Sequence, residues 1–422
     1  MSTANPMTGA ARQGGAEAVL FRFRAPDGTV AGQGLRRVLP LGPANTLAER
    51  VARFFAENDG PPLLAGALPF DRAGADHLVQ PQRLLSPEDE AAMPPAPTPA
   101  RGRWQLRPEP PAARFAEAVR EALAIMRDEA PDALRKVVLS RTLLAETDTA
   151  IDPDALLERL GSDPRVTAFR VPLPDGTDGN AAGPVLVGAT PELLIRKRGE
   201  AVLSHPLAGS APRQRDGAAD RAAAEALRRS DKDHREHALV REFILDTLAP
   251  YCTELSTPDG TAITATATLW HLGTRITGRL RDPATSAAAL AAALHPTPAV
   301  CGVPRAAAAS LIPRLEGYDR GFYAGAVGWC DAAGDGCWYV TIRCAEIRGH
   351  RARLFAGAGI VPGSDPVSEV RETAAKFGAL LRALAVPPEA MPEEAPEHFN
   401  ELRMDSAARG ADTAPGLSGN AR

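Results

Sequence analysis

The stretch Val327-Gly-Trp-Cys-Asp-Ala-Ala-Gly-Asp-Gly-Cys-Trp-Tyr-Val-Thr-Ile-Arg-Cys344 decides the fold class. Two apolar runs, residues 327–330 and 338–344, flank an Asp/Gly turn, which is how strands joined as a hairpin are written. Arg353-Leu-Phe-Ala356 follows as a third strand, so the segment reads as an antiparallel meander. Working outward, Lys136-Val-Val-Leu-Ser-Arg141, Val185-Leu-Val-Gly-Ala-Thr190 and Glu192-Leu-Leu-Ile-Arg196 are further strands, the second stopped by Pro191. Val19-Leu-Phe-Arg-Phe-Arg24 and then Ala25-Pro-Asp-Gly-Thr-Val30 read as a strand entering a turn and returning. Helices are predicted over 233–248, 286–294 and 366–384, and Phe115, Val119, Leu123 and Met126 recur at helical spacing. Strands and helices abound without regular β-α alternation, so the chain is α+β rather than a doubly wound sheet.

The chain has 422 residues, 44% of them hydrophobic, and a formal net charge of -4, which suits a globular protein with a large core. An isoelectric point near 6.1 excludes the broad basic face that nucleic-acid binding requires. No apolar run approaches the roughly 18 residues needed to span a bilayer. The first 18 residues lack the apolar segment of a secretory leader. Five cysteines, an odd number without paired spacing, point to reduced thiols and a cytoplasmic location. Cys330, Cys337 and Cys344 recur every seven residues and read as core rather than metal ligands. The expected organisation is a disordered N-terminus over 1–18 and an N-terminal part of one α+β unit over 19–109, with a proline-rich linker at 86–101. A main body over 110–385 and a disordered tail over 386–422 complete it, and a monomer is expected.

Lysine and arginine together number 48, yet only four are lysines: Lys136, Lys197, Lys232 and Lys376. Arginine stays protonated in proteins, whereas lysine can act as a base, so these four mark positions where the amine itself is needed. Lys136 alternates with Val138 and Ser140 on one strand face, giving a half-buried amine. Glu192 sits beside Leu193, Leu194 and Ile195, whose desolvation raises a carboxyl pKa as a general acid near neutral pH requires. In the C-terminal helix, Asp365-Pro366 supplies an N-cap and a first-turn proline. Glu369, Glu372 and Lys376 then fall at i, i+3 and i+7 on one face. Two carboxylates one turn apart suit a hard divalent cation such as Mg²⁺; the alternative is a solvated face with a Glu372–Lys376 pair. Glu236, in Lys232-Asp-His-Arg-Glu-His237, borders a buried helix face and is placed to supply a third carboxylate. The spacing of His234 and His237 does not match a zinc motif. Gly357-Ala-Gly359 reads either as a tight turn or as backbone N–H groups open to an anion.

Taken together these segments resemble the chorismate-binding enzymes, and within them the isochorismate synthases. The resemblance is carried by Lys136-Val-Val-Leu-Ser-Arg141, Gly188-Ala-Thr-Pro-Glu-Leu-Leu194, Pro206-Leu-Ala-Gly-Ser210 and Lys232-Asp-His-Arg-Glu-His237. It continues in Leu269-Trp-His-Leu272, His295-Pro-Thr-Pro-Ala299, Thr341-Ile-Arg-Cys344, Phe355-Ala-Gly-Ala-Gly-Ile-Val361 and Glu369-Val-Arg-Glu-Thr-Ala-Ala-Lys376. These motifs span roughly residues 110 to 385 in the family's order. The resemblance implies an α+β fold of two large, mostly antiparallel sheets packed together with helices outside. It implies that Lys136 activates water to attack C2 of chorismate and that Glu192 protonates the departing C4 hydroxyl. Glu236, Glu369 and Glu372 match the Mg²⁺ site, while Arg343 and Lys376 match contacts to substrate carboxylates. Gly209, Ser210, His271, Ala299 and Gly357 match positions lining the substrate.

The siblings differ at single positions. Anthranilate synthases carry Gln where Lys136 stands, and aminodeoxychorismate synthases carry a nucleophilic lysine where this chain has Ala208. Many ammonia-using siblings have Thr in place of Ala299. Salicylate synthases share Lys136 and Glu192 and go on to eliminate pyruvate, so they are the alternative reading. The Leu-Trp-His-Leu and Trp-Cys-Asp segments resemble the catecholate-siderophore branch more than the menaquinone-pathway isochorismate synthases. A non-catalytic chorismate-binding protein, the remaining class, would not need Lys136 and Glu192 together.

Overall fold

Runs of β-branched and small apolar residues give twenty strands among the described residues, and every pairing between them is antiparallel. The structure, a computed structural model, describes residues 19–93, 102–128, 130, 133–174, 183–387 and 390. The expected N-terminal disorder, most of the expected tail and residues 94–101 of the expected linker lie outside them.

Seventeen strands form one sheet and three a second. The large sheet is a continuous ladder. It runs from Trp104–Glu109 through Lys136–Thr147, Arg351–Ile360, Cys344–Arg348, Val185–Thr190 and Thr167–Pro172 to Val19–Ala25. It continues through Gly28–Val38, His77–Leu84, Leu63–Leu68, Ala326–Asp331 and Gly336–Val340 to Leu193–Arg198 and three further strands, while Gly302–Val303 pairs with the start of Lys136–Thr147. The two large sheets that the family resemblance implies are therefore two halves of one ladder. Gly28–Val38 joins them: its first half pairs with Val19–Ala25 and its second with His77–Leu84, with register shifts on both sides. Such irregularities bend a strand and let it pass from one layer to the other. Between the layers lie Phe21, Phe23, Leu64, Leu68, Phe169, Ile195 and Trp338, in a core that also takes in Cys330, Cys337 and Cys344 as free thiols.

Two expectations are corrected. The run 338–344 is not one strand. Gly336–Val340 pairs with the 326–331 and 193–198 strands, whereas Cys344–Arg348 pairs with the 185–190 and 351–360 strands. At the crossing the Thr341 N–H donates to the Gly325 carbonyl, the Arg343 carbonyl accepts from Ala189, and Arg343 takes φ of 53°. That left-handed conformation costs on the order of 1 kcal/mol and persists because ladders on both sides hold it. The proline-rich linker is also not wholly a linker. Pro87–Ala91 is a helix with a Ser86/Asp89 capping box, docked by an ion pair of 3.1 Å between Glu90 and buried Arg22.

Two helices deliver the polar groups of interest. Asp231–Leu248 starts at the N-cap Ser230, whose hydroxyl accepts from the Asp233 N–H. Pro366–Ala383 starts at Asp365, whose carboxylate accepts from the Ser368 N–H at 2.9 Å. It buries Val370, Thr373, Phe377, Leu380 and Leu381 against the 351–360 strand and its neighbours. Buried Arg141 clamps it by donating from Nε to Thr373 Oγ1 at 2.9 Å and from Nη2 to the Val370 carbonyl at 3.3 Å. Among the described residues no helix is long and apolar enough to cross a membrane.

Replacing the cap with Asp365→Ala is expected to cost about 1 kcal/mol, seen as a lower urea midpoint with an unchanged slope. An unchanged midpoint would show that packing alone sets where this helix begins.

Candidate active site

The pocket forms where the 136–147 and 351–360 strands, the Thr190–Glu192 turn and the small sheet meet the 231–248 and 366–383 helices. Of the residues singled out from the sequence, Glu192, Gly209, Ser210, Glu236, His271, Ala299, Arg343, Gly357, Glu372 and Lys376 line it. Lys136 and Glu369 lie just behind the lining, each in contact with a residue that reaches it. Helical phase explains the arrangement: Lys232 and Glu236 are one turn apart on one helix, and Glu369, Glu372 and Lys376 share a face of the other.

The acidic and basic groups are matched pair by pair. Lys136 Nζ lies 2.9 Å from Glu236 Oε1, Lys232 Nζ 3.0 Å from Glu369 Oε1, and Lys376 Nζ 2.6 Å from Glu372 Oε1. The Glu372–Lys376 pair forms as its spacing predicts, but it faces the pocket rather than solvent. Lys376 also donates to the Gly357 carbonyl at 2.7 Å, and Ser210 Oγ donates to Glu372 Oε1 at 3.3 Å. Burial, and then the Glu372 charge, push the Glu369 carboxyl up to about 7. Against the pull of its own burial, Lys376 holds Glu372 below the usual carboxylate range.

Glu192 behaves differently. It is 2% exposed, and burial raises its carboxyl to about 8, although a hydrogen bond from the Leu207 backbone and the Lys136 charge pull the other way. Its Oε1 has no hydrogen-bond partner among the described residues. A protonated acid with one oxygen unspent is what a proton donor at neutral pH requires. Lys136 is fully buried, more so than the half-buried amine expected from the strand pattern, and its Nζ approaches Glu236 without hydrogen-bond alignment.

Arg343, delivered by the break between strands, has no hydrogen bond or ion pair to any described side chain, and burial lowers its guanidinium to about 10. An unspent guanidinium in a pocket is a carboxylate receptor. His271 is neutral: burial, then Arg343 and Lys376, push it down to about 3, and its Nε2 is unpartnered. Gly209 sits at a positive φ of 76°, and a Cβ there would press on Asp233. Gly357 and Gly359 have separate reasons to be glycine. A Cβ on Gly357 would lie 2.9 Å from the Tyr323 hydroxyl, and one on Gly359 would overlap the Glu236 carboxylate.

Several residues of the site had no role from the sequence. Lys232 was visible only through the scarcity of lysine, which had flagged it without a partner. Tyr323, stacked on Phe355 with ring centroids 4.8 Å apart, lines the pocket, and burial pushes its phenol up so that it stays neutral. Behind the strand of Lys136 lies a buried pair, Arg320 Nη2 to Glu316 Oε1 at 2.6 Å. Glu316 accepts from the Ser140 N–H at 2.6 Å, while Arg320 donates to the carbonyls of Val138 at 2.7 Å and Val300 at 2.8 Å. This pair fixes the strand of Lys136 to the wall carrying Ala299, and no local pattern announces it.

Among the described residues, no three His, Cys, Asp or Glu side chains converge closely enough to make a ready metal centre. The donor set nevertheless fits a hard cation. Glu236, Glu369 and Glu372 offer only carboxylate oxygens, the missing Cβ of Gly359 gives the Glu236 carboxylate its place, and the Lys232 ammonium already sits against Glu369.

The chain belongs to the chorismate-binding enzymes: the family model described as chorismate binding enzyme matches residues 73–385. It is 38% identical to isochorismate synthase DhbC of Bacillus subtilis, over 87% of this chain and 94% of that protein. It is 40% identical to isochorismate synthase EntC of Escherichia coli, over 82% of this chain and 88% of that one. The crystal structure of DhbC from Bacillus anthracis, assigned as a 2,3-dihydroxybenzoate-specific isochorismate synthase, superposes with a TM-score of 0.79 at 37% identity. That match covers 87% of this chain and 97% of the other.

Because Glu192 takes up a proton on folding, its burial costs stability progressively as pH rises from the unfolded carboxyl value of 4.5 through about 8. The Glu192→Gln variant should therefore gain in melting temperature over the parent as pH is raised from 5 to 9. A constant difference across that range would mean that the carboxyl is ionised in the folded protein.

Proposed function

We propose that the protein is an isochorismate synthase, converting chorismate to isochorismate by attack of water at C2 and loss of the C4 hydroxyl. The observation that carries this reading is the protonated carboxyl of Glu192, with its Oε1 unpartnered, opening on the pocket within the field of buried Lys136. Allylic hydroxide is a poor leaving group, so an acid already protonated at neutral pH is needed where it departs. Water is a poor nucleophile, and Lys136 must act as the free amine to take its proton during attack. Arg343 receives one substrate carboxylate, with Lys376 beside it, while Gly209, Ser210, His271, Ala299 and Gly357 shape the walls. Neutral His271 adds a polar contact without adding charge. Mg²⁺ held by Glu236, Glu369 and Glu372 would supply positive charge against a substrate carboxylate. The names of the relatives support the same activity, and those of the DhbC type favour a place in 2,3-dihydroxybenzoate and catecholate-siderophore synthesis. We take the enzyme to be a cytoplasmic monomer.

Purified protein given chorismate and Mg²⁺, without ammonia or a second enzyme, is expected to bring chorismate and isochorismate to equilibrium, separated by chromatography. Salicylate with pyruvate as the products would replace this reading with that of a salicylate synthase. Lys136→Ala and Glu192→Ala should each lower turnover by about a hundredfold or more while chorismate still binds. Turnover within a few-fold of the parent in either variant would remove that residue from the chemistry.

A further inference from the structure

Lys232 occupies an unfavourable place for a cation. It is the second residue of the 231–248 helix, at the end where the helix dipole repels positive charge. It is also a lysine in a chain that otherwise uses arginine for most positive positions. What holds it there is the acidic cluster. Its Nζ lies 3.0 Å from Glu369 Oε1, and although partial burial opposes it, Glu369, then Glu236 and Glu372, raise its ammonium above the usual lysine range.

The three lysines of the pocket are therefore not equivalent. Lys136 is fully buried and serves Glu236; Lys376 serves Glu372 and the Gly357 carbonyl. Lys232 pairs with Glu369 and feels the charges of Glu236 and Glu372 as well, and with 35% of its side chain exposed it has water to swing into. Without Lys232, Glu369 would lie buried beside the Glu372 charge with no cation of its own at pairing distance.

On the reading that these carboxylates hold a divalent cation, we infer that Lys232 is an internal counter-cation. It stands in for the metal in the metal-free protein and swings out when the metal binds. Metal binding is then an exchange rather than a simple addition. Lys232 weakens the cation's affinity and keeps the empty site folded.

The test measures binding directly, with Mn²⁺ as the probe, free ion counted by electron paramagnetic resonance, and no substrate present. Lys232→Met is expected to bind Mn²⁺ about tenfold or more tightly than the parent, because one like charge has left the site. Metal-free Lys232→Met should also melt below the parent and recover more on adding Mn²⁺. Should it fail to fold without metal, folding driven by Mn²⁺ at concentrations that leave the parent's melting unchanged reports the same gain. Lys232→Arg, which keeps the charge, should stay near the parent in affinity. Equal affinity in the parent and Lys232→Met overturns the inference and leaves the carboxylate site standing. No Mn²⁺ binding by either protein, even with chorismate added, overturns both.

Discussion

Three carboxyl-bearing and three amine-bearing side chains share one pocket, and neither set could be buried without the other. An isolated buried ion costs several kcal/mol, so the 231–248 and 366–383 helices approach only because each acid they carry meets a lysine. Glu192 stands outside this scheme. It is buried with no cation at hydrogen-bond distance, and it answers by keeping its proton. The pocket thus holds Glu372, which its lysine keeps below the usual carboxylate range, and Glu192, which desolvation neutralises.

The fold turns this electrostatic requirement into geometry. The ladder does not simply end near the pocket; it changes partners there. At Thr341–Arg343 one strand stops and another begins, and the residue in the gap is an arginine in a left-handed conformation. The Glu316–Arg320 pair works from behind, tying the strand of Lys136 to the segment of Ala299 through backbone carbonyls rather than through side chains that touch substrate.

Much of this was legible in the sequence because it is local. Helix caps, the turn before Glu192 and the shared face of Glu369, Glu372 and Lys376 follow from spacing within one element, and each is found where that spacing puts it. The α+β class followed from strand runs without β-α alternation. What could not be read depends on which strands pair. An apolar run such as 338–344 looks continuous, because nothing in its residues records that its two ends belong to different ladder neighbours. The single ladder, the docked Pro87–Ala91 helix and the partners of Lys232 and Arg320 are all long-range facts of this kind. Lys232 is instructive: composition singled it out, and only the meeting of two helices gave it a purpose.

The central claim is that water, deprotonated by Lys136, enters at C2 as the hydroxyl protonated by Glu192 leaves from C4. The most direct test is turnover of chorismate in ¹⁸O-labelled water with mass analysis of the isochorismate formed. The account predicts one labelled oxygen, carried at C2, in the product. Isochorismate that retains only unlabelled hydroxyl oxygen would mean that the hydroxyl migrates without solvent water, and the assigned roles of Lys136 and Glu192 would fall with it.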